Sequence, residues 1–197
     1  MRVLKKIRNV LYSIYLLLLL LAFNAPRVSA CVLLSIVLHE SGHALALRCL
    51  GKKASGVNFY TRGARMEYAG QLSYLEECFV CFCGPLANIV AALLSFFFIP
   101  HQGELCLLFF GVNLFYALTN LLPFPSYDGE RILCILLSLR FGAGAGERFV
   151  FIIGFFLRCV LLFLSLYLIV YFDVAYQIFW CIFLSFLTDF AKQGESC

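Results

Sequence analysis

Charge is scarce in this sequence. Of 197 residues, 13% are Asp, Glu, Lys or Arg, against 63% hydrophobic and a mean hydropathy of +0.94. That deficit excludes a soluble globular domain, which could not hide so much apolar surface. Polar sequence long enough to fold by itself is also missing, so residues 1–197 are expected to form a single integral-membrane domain. Histidine is scarcer still, with three in the chain. Cysteine is not scarce, but the ten thiols form no disulfide framework. Cys78-x-x-Cys81-x-Cys83 has the look of a metal cluster. Thiols facing the cytoplasm stay reduced, and cysteine in membrane helices behaves as a small apolar residue.

What the chain has instead is long apolar runs. Six are expected as membrane spans, at residues 10–23, 28–50, 78–99, 105–122, 149–170 and 176–190. The fold expected is an all-α, polytopic bundle of about six transmembrane helices. Val28-Ser29-Ala30-Cys31 has the form of a lipoprotein cleavage site, but Asn24 to Arg27 interrupt the apolar run before it, which favours an uncleaved first helix. Gly51 ends the second run, and Pro100 is expected to stop the third. Residues 56–70 differ in texture and read as two short strands around Arg62-Gly63, a small hairpin. Residues 130–139 read as a short amphipathic helix.

The net charge of +4 is explained by where the cations sit, not by nucleic-acid binding. Arg2, Lys5, Lys6 and Arg8 precede the first run. Arg48, Lys52, Lys53, Arg62 and Arg65 lie at or after the end of the second, Arg131, Arg140 and Arg148 follow the fourth, and Lys192 follows the sixth. Arg27 alone falls on the opposite side, and Arg158 lies inside a span, where it should snorkel or meet an acid. The positive-inside rule then puts the N-terminus in the cytoplasm of a multi-pass cell-membrane protein.

Two of the three histidines stand in His39-Glu40-Ser41-Gly42-His43, inside the second run. Positions i and i+4 of a helix share a face, so both imidazoles can reach one metal ion and Glu40 a water beside it. His43 is seven residues from Leu50, which puts such an ion about 10 Å below the inner boundary at the helical rise per residue. A catalytic zinc takes three protein ligands and keeps one position open. Glu40 is then the general base and acid and not a ligand. His101, after Pro100, falls on the outer side and reads as a surface residue. Asp128 falls on the inner side, after a segment broken by Pro123 and Pro125. Asp-Gly ordinarily reads as a turn, but the missing ligand and the matching side favour Asp128 as the third.

These residues, followed by Gly84-Pro85-Leu86-Ala87-Asn88 and by Asn120-Leu121-Leu122-Pro123-Phe124-Pro125-Ser126-Tyr127-Asp128-Gly129, resemble the site-2 protease family of intramembrane zinc metalloproteases. The resemblance covers about residues 28–139. It implies one Zn2+ per chain on His39, His43 and Asp128, with Glu40 catalytic. It also implies substrate contacts at Asn120 and Asn88, and a membrane-associated β-hairpin at residues 56–70. The implied substrate is a transmembrane or membrane-associated protein cut near the cytoplasmic side, with the lipid bilayer as surroundings and a regulatory membrane subunit as a further partner. No stretch suits a PDZ or CBS domain, so the chain is most similar to the minimal bacterial members, among them the sporulation proteases that process a pro-sigma factor. Two other functions fit part of the pattern. A catalytically inactive zinc scaffold has no need of Glu40. A metal or small-solute transporter would ordinarily show paired broken helices, and one clear break is visible here.

Overall fold

The structure is a computed structural model that describes residues 26–52, 54–60, 63–68, 72–124 and 127–172. The apolar runs expected at residues 10–23 and 176–190 lie outside the described residues. Within them, four helices form. They are α1 (Pro26–Cys49), α2 (Tyr74–Asn120), α3 (Asp128–Phe141) and α4 (Ala143–Phe172). Four segments are long and apolar enough to cross a membrane: Pro26–Cys49, Tyr74–Phe98, Gly103–Asn120 and Gly144–Tyr171. Strands β1 (Ala54–Tyr60) and β2 (Gly63–Tyr68) pair antiparallel, with Asn58 opposite Arg65 and a register shift between Ala54 and Gly56.

The helices are built inside out compared with a soluble bundle. Ser29, Ser35, His39, Asn88, Asn113, Arg158 and Ser165 are buried, while Val37, Leu75, Phe97, Phe115, Phe156 and Phe163 are exposed. An exterior this apolar suits lipid, where each inward polar group must find a partner within the protein. The serines do so locally: Ser35 Oγ donates to the Cys31 carbonyl (2.8 Å) and Ser165 Oγ to that of Leu162 (2.9 Å).

α1 begins at Pro26, whose missing N–H is no loss in a first turn. It ends at Gly51, which takes φ +66° while its N–H donates to Arg48 (3.0 Å) and that of Lys52 to Leu47 (2.9 Å). This is a Schellman stop, and glycine suits it because a Cβ is disfavoured at positive φ. From Cys31 the inward stripe of α1, Cys31, Ser35, His39, Gly42 and Ala46, recurs every three or four residues and is made of small side chains apart from the histidine. It faces α2 so closely that a Cβ on Gly42 would strike the Cys83 carbonyl. Small residues let membrane helices approach in this way.

α2 starts with a capping box in which Ser73 Oγ accepts from the Glu76 N–H (3.3 Å) and the Glu76 carboxylate from the Ser73 N–H (2.7 Å). The chain turns at Gly103 (φ 51°, ψ −117°), not at Pro100 as expected. Proline removes a hydrogen bond and kinks a helix at negative φ, whereas this break uses a positive φ that glycine adopts most cheaply. The halves on either side of Gly103 are the two candidate spans.

α3 spans Asp128–Phe141, slightly longer than the sequence suggested, and is tied back to the start of α2 by an ion pair between Arg131 and Glu77. α4 begins six residues before the expected span start at 149. It presents Gly146 to Ser138 of α3 and Gly154 to the Pro123 carbonyl, so close that a Cβ at either would overlap. Arg158 does not snorkel. It is 1% exposed, and its Nε donates to the Gly154 carbonyl (3.0 Å).

The tight α1–α2 seam gives a direct expectation. Gly42→Val should destabilise the chain by about 1–3 kcal/mol through overpacking. Leu45→Ala, at a side chain 62% exposed, should change little. Denaturant titration in mixed micelles distinguishes the two.

Candidate metal centre

Three side chains from two distant parts of the sequence meet at one point. His39 Nε2 lies 3.0 Å from Asp128 Oδ2, His43 Nε2 lies 3.3 Å from the same oxygen, and the two Nε2 atoms are 3.2 Å apart. Among the described residues these are the three side chains placed to share a metal ion. Cys78, Cys81 and Cys83 are free thiols and join no such group.

The other ring nitrogens decide what this triangle is. His43 Nδ1 is 2.8 Å from the Val80 carbonyl, which can only accept, so Nδ1 carries a proton and donates. His39 Nδ1 is 2.9 Å from Asn88 Oδ1, and Asn88 Nδ2 donates to the Ser35 carbonyl (2.9 Å). That orientation of the amide makes His39 Nδ1 a donor as well. In both neutral rings Nε2 then bears a lone pair, and the two lone pairs meet a carboxylate oxygen. Asp128 Oδ2 accordingly has no hydrogen-bond donor although it is buried. Three acceptors at contact distance repel unless a positive charge sits among them.

Zinc fits that demand. A tetrahedral ion with bonds of about 2.0–2.1 Å holds its ligands about 3.3 Å apart, and the observed separations are 3.0, 3.2 and 3.3 Å. The donor set of two imidazoles and a carboxylate is one that zinc takes when a further position is left open.

Each ligand has a local cause. The histidines sit one turn apart on the inward face of α1. Asp128 is the first residue of α3, which starts where it does because Tyr127 N–H donates to the Phe124 carbonyl (3.0 Å) and closes the turn. Gly129 permits this position, since a Cβ there would run into the Leu121 carbonyl. Gly84 lies over the imidazoles, and a Cβ on it would overlap the His43 ring and approach His39.

Of the other expected site residues, Glu40 is half-buried beside His39 and outside the triangle. Asn120 is half-buried at the end of α2, with Nδ2 donating to the Tyr116 carbonyl (2.9 Å). Asn88 is 0% exposed, and its amide is committed to His39, Ser35 and Asn113. It has no face left for a substrate, and its place is behind the metal ligand. Tyr116 and Asn113 were missed. Tyr116 sets its ring edge-on to His39, centroids 5.1 Å apart. Asn113, Tyr116 and Asn120 recur at three and four residues, a polar stripe in an apolar helix that the sequence already displayed.

No family model matches the chain. A protein of Methanocaldococcus jannaschii that is named as a zinc metalloprotease is 33% identical over 95 residues, covering 45% of this chain and 50% of that protein. The chain thus matches about half the length of this curated relative. Among solved structures, the site-2 protease from Methanocaldococcus jannaschii superposes with a TM-score of 0.58 at 21% identity, covering 97% of this chain and 88% of that one. The likeness is one of fold.

Purified in detergent, the chain should retain stoichiometric zinc. His39→Ala, His43→Ala and Asp128→Ala should each lose it. Gly84→Val should weaken zinc binding by displacing the imidazoles. Metal analysis after dialysis against a weak chelator reads all four.

Proposed function

We propose that this chain is a member of the site-2 protease family and a zinc-dependent intramembrane endopeptidase that hydrolyses a peptide bond in a transmembrane or membrane-associated protein, near the cytoplasmic side. The observation that carries the reading is the meeting of His39 Nε2, His43 Nε2 and Asp128 Oδ2 within 3.0–3.3 Å, with Glu40 next to it in sequence. A structural metal site would close all its positions with protein ligands, whereas three ligands and an adjoining acid suit hydrolysis.

Zinc, when bound, supplies Lewis acidity and makes water a stronger acid. The protein's own groups do the rest. Glu40 takes a proton from the attacking water and returns it to the leaving amine, so that its carboxylate is regenerated at each turnover. Asn120 keeps a second Nδ2 hydrogen beyond the one given to Tyr116, and this donates to the oxygen on which negative charge develops. A helical substrate hides its amides in i→i−4 bonds and must be opened before attack. Among the described residues the two-stranded sheet leaves each strand one outer edge, to which an unwound segment adds as a further strand. The distribution of Lys and Arg supports a cytoplasmic N-terminus and, with it, the Cys49 end of α1 on the inner side.

Glu40→Gln should abolish cleavage of a tagged membrane substrate in reconstituted vesicles and leave zinc content unchanged. Retained turnover would overturn the proteolytic reading. Phe59→Pro or Tyr60→Pro, within β1, should slow cleavage markedly with zinc still bound. Wild-type rates in both would dismiss the strand-addition step.

A further inference from the structure

Asn113 lies 0% exposed in the second half of α2, in a segment apolar enough to span a bilayer. A buried carboxamide there is costly unless both ends are used. Both are. Its Nδ2 donates to the Phe109 carbonyl (2.9 Å), and its Oδ1 accepts from Asn88 Nδ2 (2.9 Å). Asn88 Oδ1 in turn accepts the Nδ1 proton of His39 (2.9 Å).

These bonds have a direction. The Phe109 carbonyl can only accept, which fixes which end of Asn113 faces Asn88. Asn113 Oδ1 and the Ser35 carbonyl are both acceptors, so together they hold the two Nδ2 hydrogens of Asn88. Asn88 must then turn its oxygen to His39. A flipped Asn88 would set its oxygen against two acceptors and offer an N–H to His39 Nδ1. The imidazole would change tautomer, and Nε2 would present a hydrogen in place of a lone pair to the metal position.

We infer that Asn113 is a positioning residue which, through Asn88, fixes the Nδ1–H tautomer and the ring orientation of His39 before metal binds. The inference rests on the zinc reading above but is tested apart from it. The second half of α2 supplies no ligand. Through Asn113 it nonetheless sets the lone pair of one. Groups behind metal-bound histidines commonly set affinity in this way.

The experiment uses the full chain in detergent, with ring-15N histidine. Three histidines make the spectrum assignable by single replacement. In the metal-free wild type, His39 should give the Nδ1–H pattern. Asn113→Leu should give mixed tautomers and bind zinc about tenfold more weakly in chelator competition. Asn113→Asp keeps an accepting oxygen in either protonation state and should restore both readouts. An Nε2–H pattern in the metal-free wild type would overturn the inference, and that measurement needs no variant to fold. So would an Asn113→Leu protein with wild-type tautomer and affinity. A wild type that shows the Nδ1–H pattern but binds no zinc would sink the metalloprotease reading, and the tautomer comparison would still decide the role of Asn113.

Discussion

A positive charge is required between His39 Nε2, His43 Nε2 and Asp128 Oδ2, and much of the molecule is arranged to keep that requirement unmet by its own side chains. Each histidine gives its Nδ1 proton to a neighbour, Asn88 or the Val80 carbonyl. That choice points both lone pairs inward. Asp128 Oδ2 is buried there with no donor. Inside a soluble protein such a gathering would already be unfavourable. Among helices of this apolarity, where bulk water cannot screen it, the repulsion is larger. The three groups therefore stay together only because helix packing holds them, and a bound cation turns the repulsion into attraction.

The packing that holds them relies on absent side chains. Gly42 lets α1 close on α2, Gly84 clears the rings, Gly129 lets α3 begin against the end of α2, and Gly154 lets α4 support the Pro123 turn. At three of them, Gly42, Gly129 and Gly154, a Cβ would meet a backbone carbonyl, so the room cannot be found by rotating a neighbour. The consequence is that the ligand from α3 is located by α4 as well as by its own turn. Arg158, buried one turn beyond Gly154 and bonded to its carbonyl, belongs to that support.

Local pattern made the chemistry legible and left the scaffolding obscure. His39 and His43 were readable because i and i+4 geometry lies within a single helix. Asp128 was readable because charge asymmetry assigned it to the same side as the pair. The end of α1 at Gly51 was legible for the same reason that glycine accepts positive φ. The turn at Gly103 was passed over for Pro100, because a proline marks a lost hydrogen bond more visibly than a glycine marks a reversal. Asn88 was placed at the substrate although it is buried behind His39. Its partners, Ser35 and Asn113, stand 53 and 25 residues away in sequence, and only the folded chain brings them together. The hydrogen-bond direction that makes sense of Asn113 has no counterpart in residue order.

The burial of the ligands is graded, and the gradient has a direction. Side-chain exposure rises from 4% at His39 to 12% at His43 and 19% at Asp128. His39 is sealed on one side by Asn88 and flanked by the Tyr116 ring. His43 lies one turn nearer the Cys49 end of α1, the end beside which Arg48 and Lys52 lie. Among the described residues the centre is most exposed at Asp128, at the start of α3. On the opposite side Ser35, Asn88 and Asn113 are hydrogen-bonded within the protein. The hydrolysis proposed above would need this asymmetry. The closed side would keep the ligand geometry rigid, and the open side would admit both reactants. Glu40 and Asn120 are half-buried. Asn88 and Asn113 are buried because their work is done on the ligand and not on what reaches it.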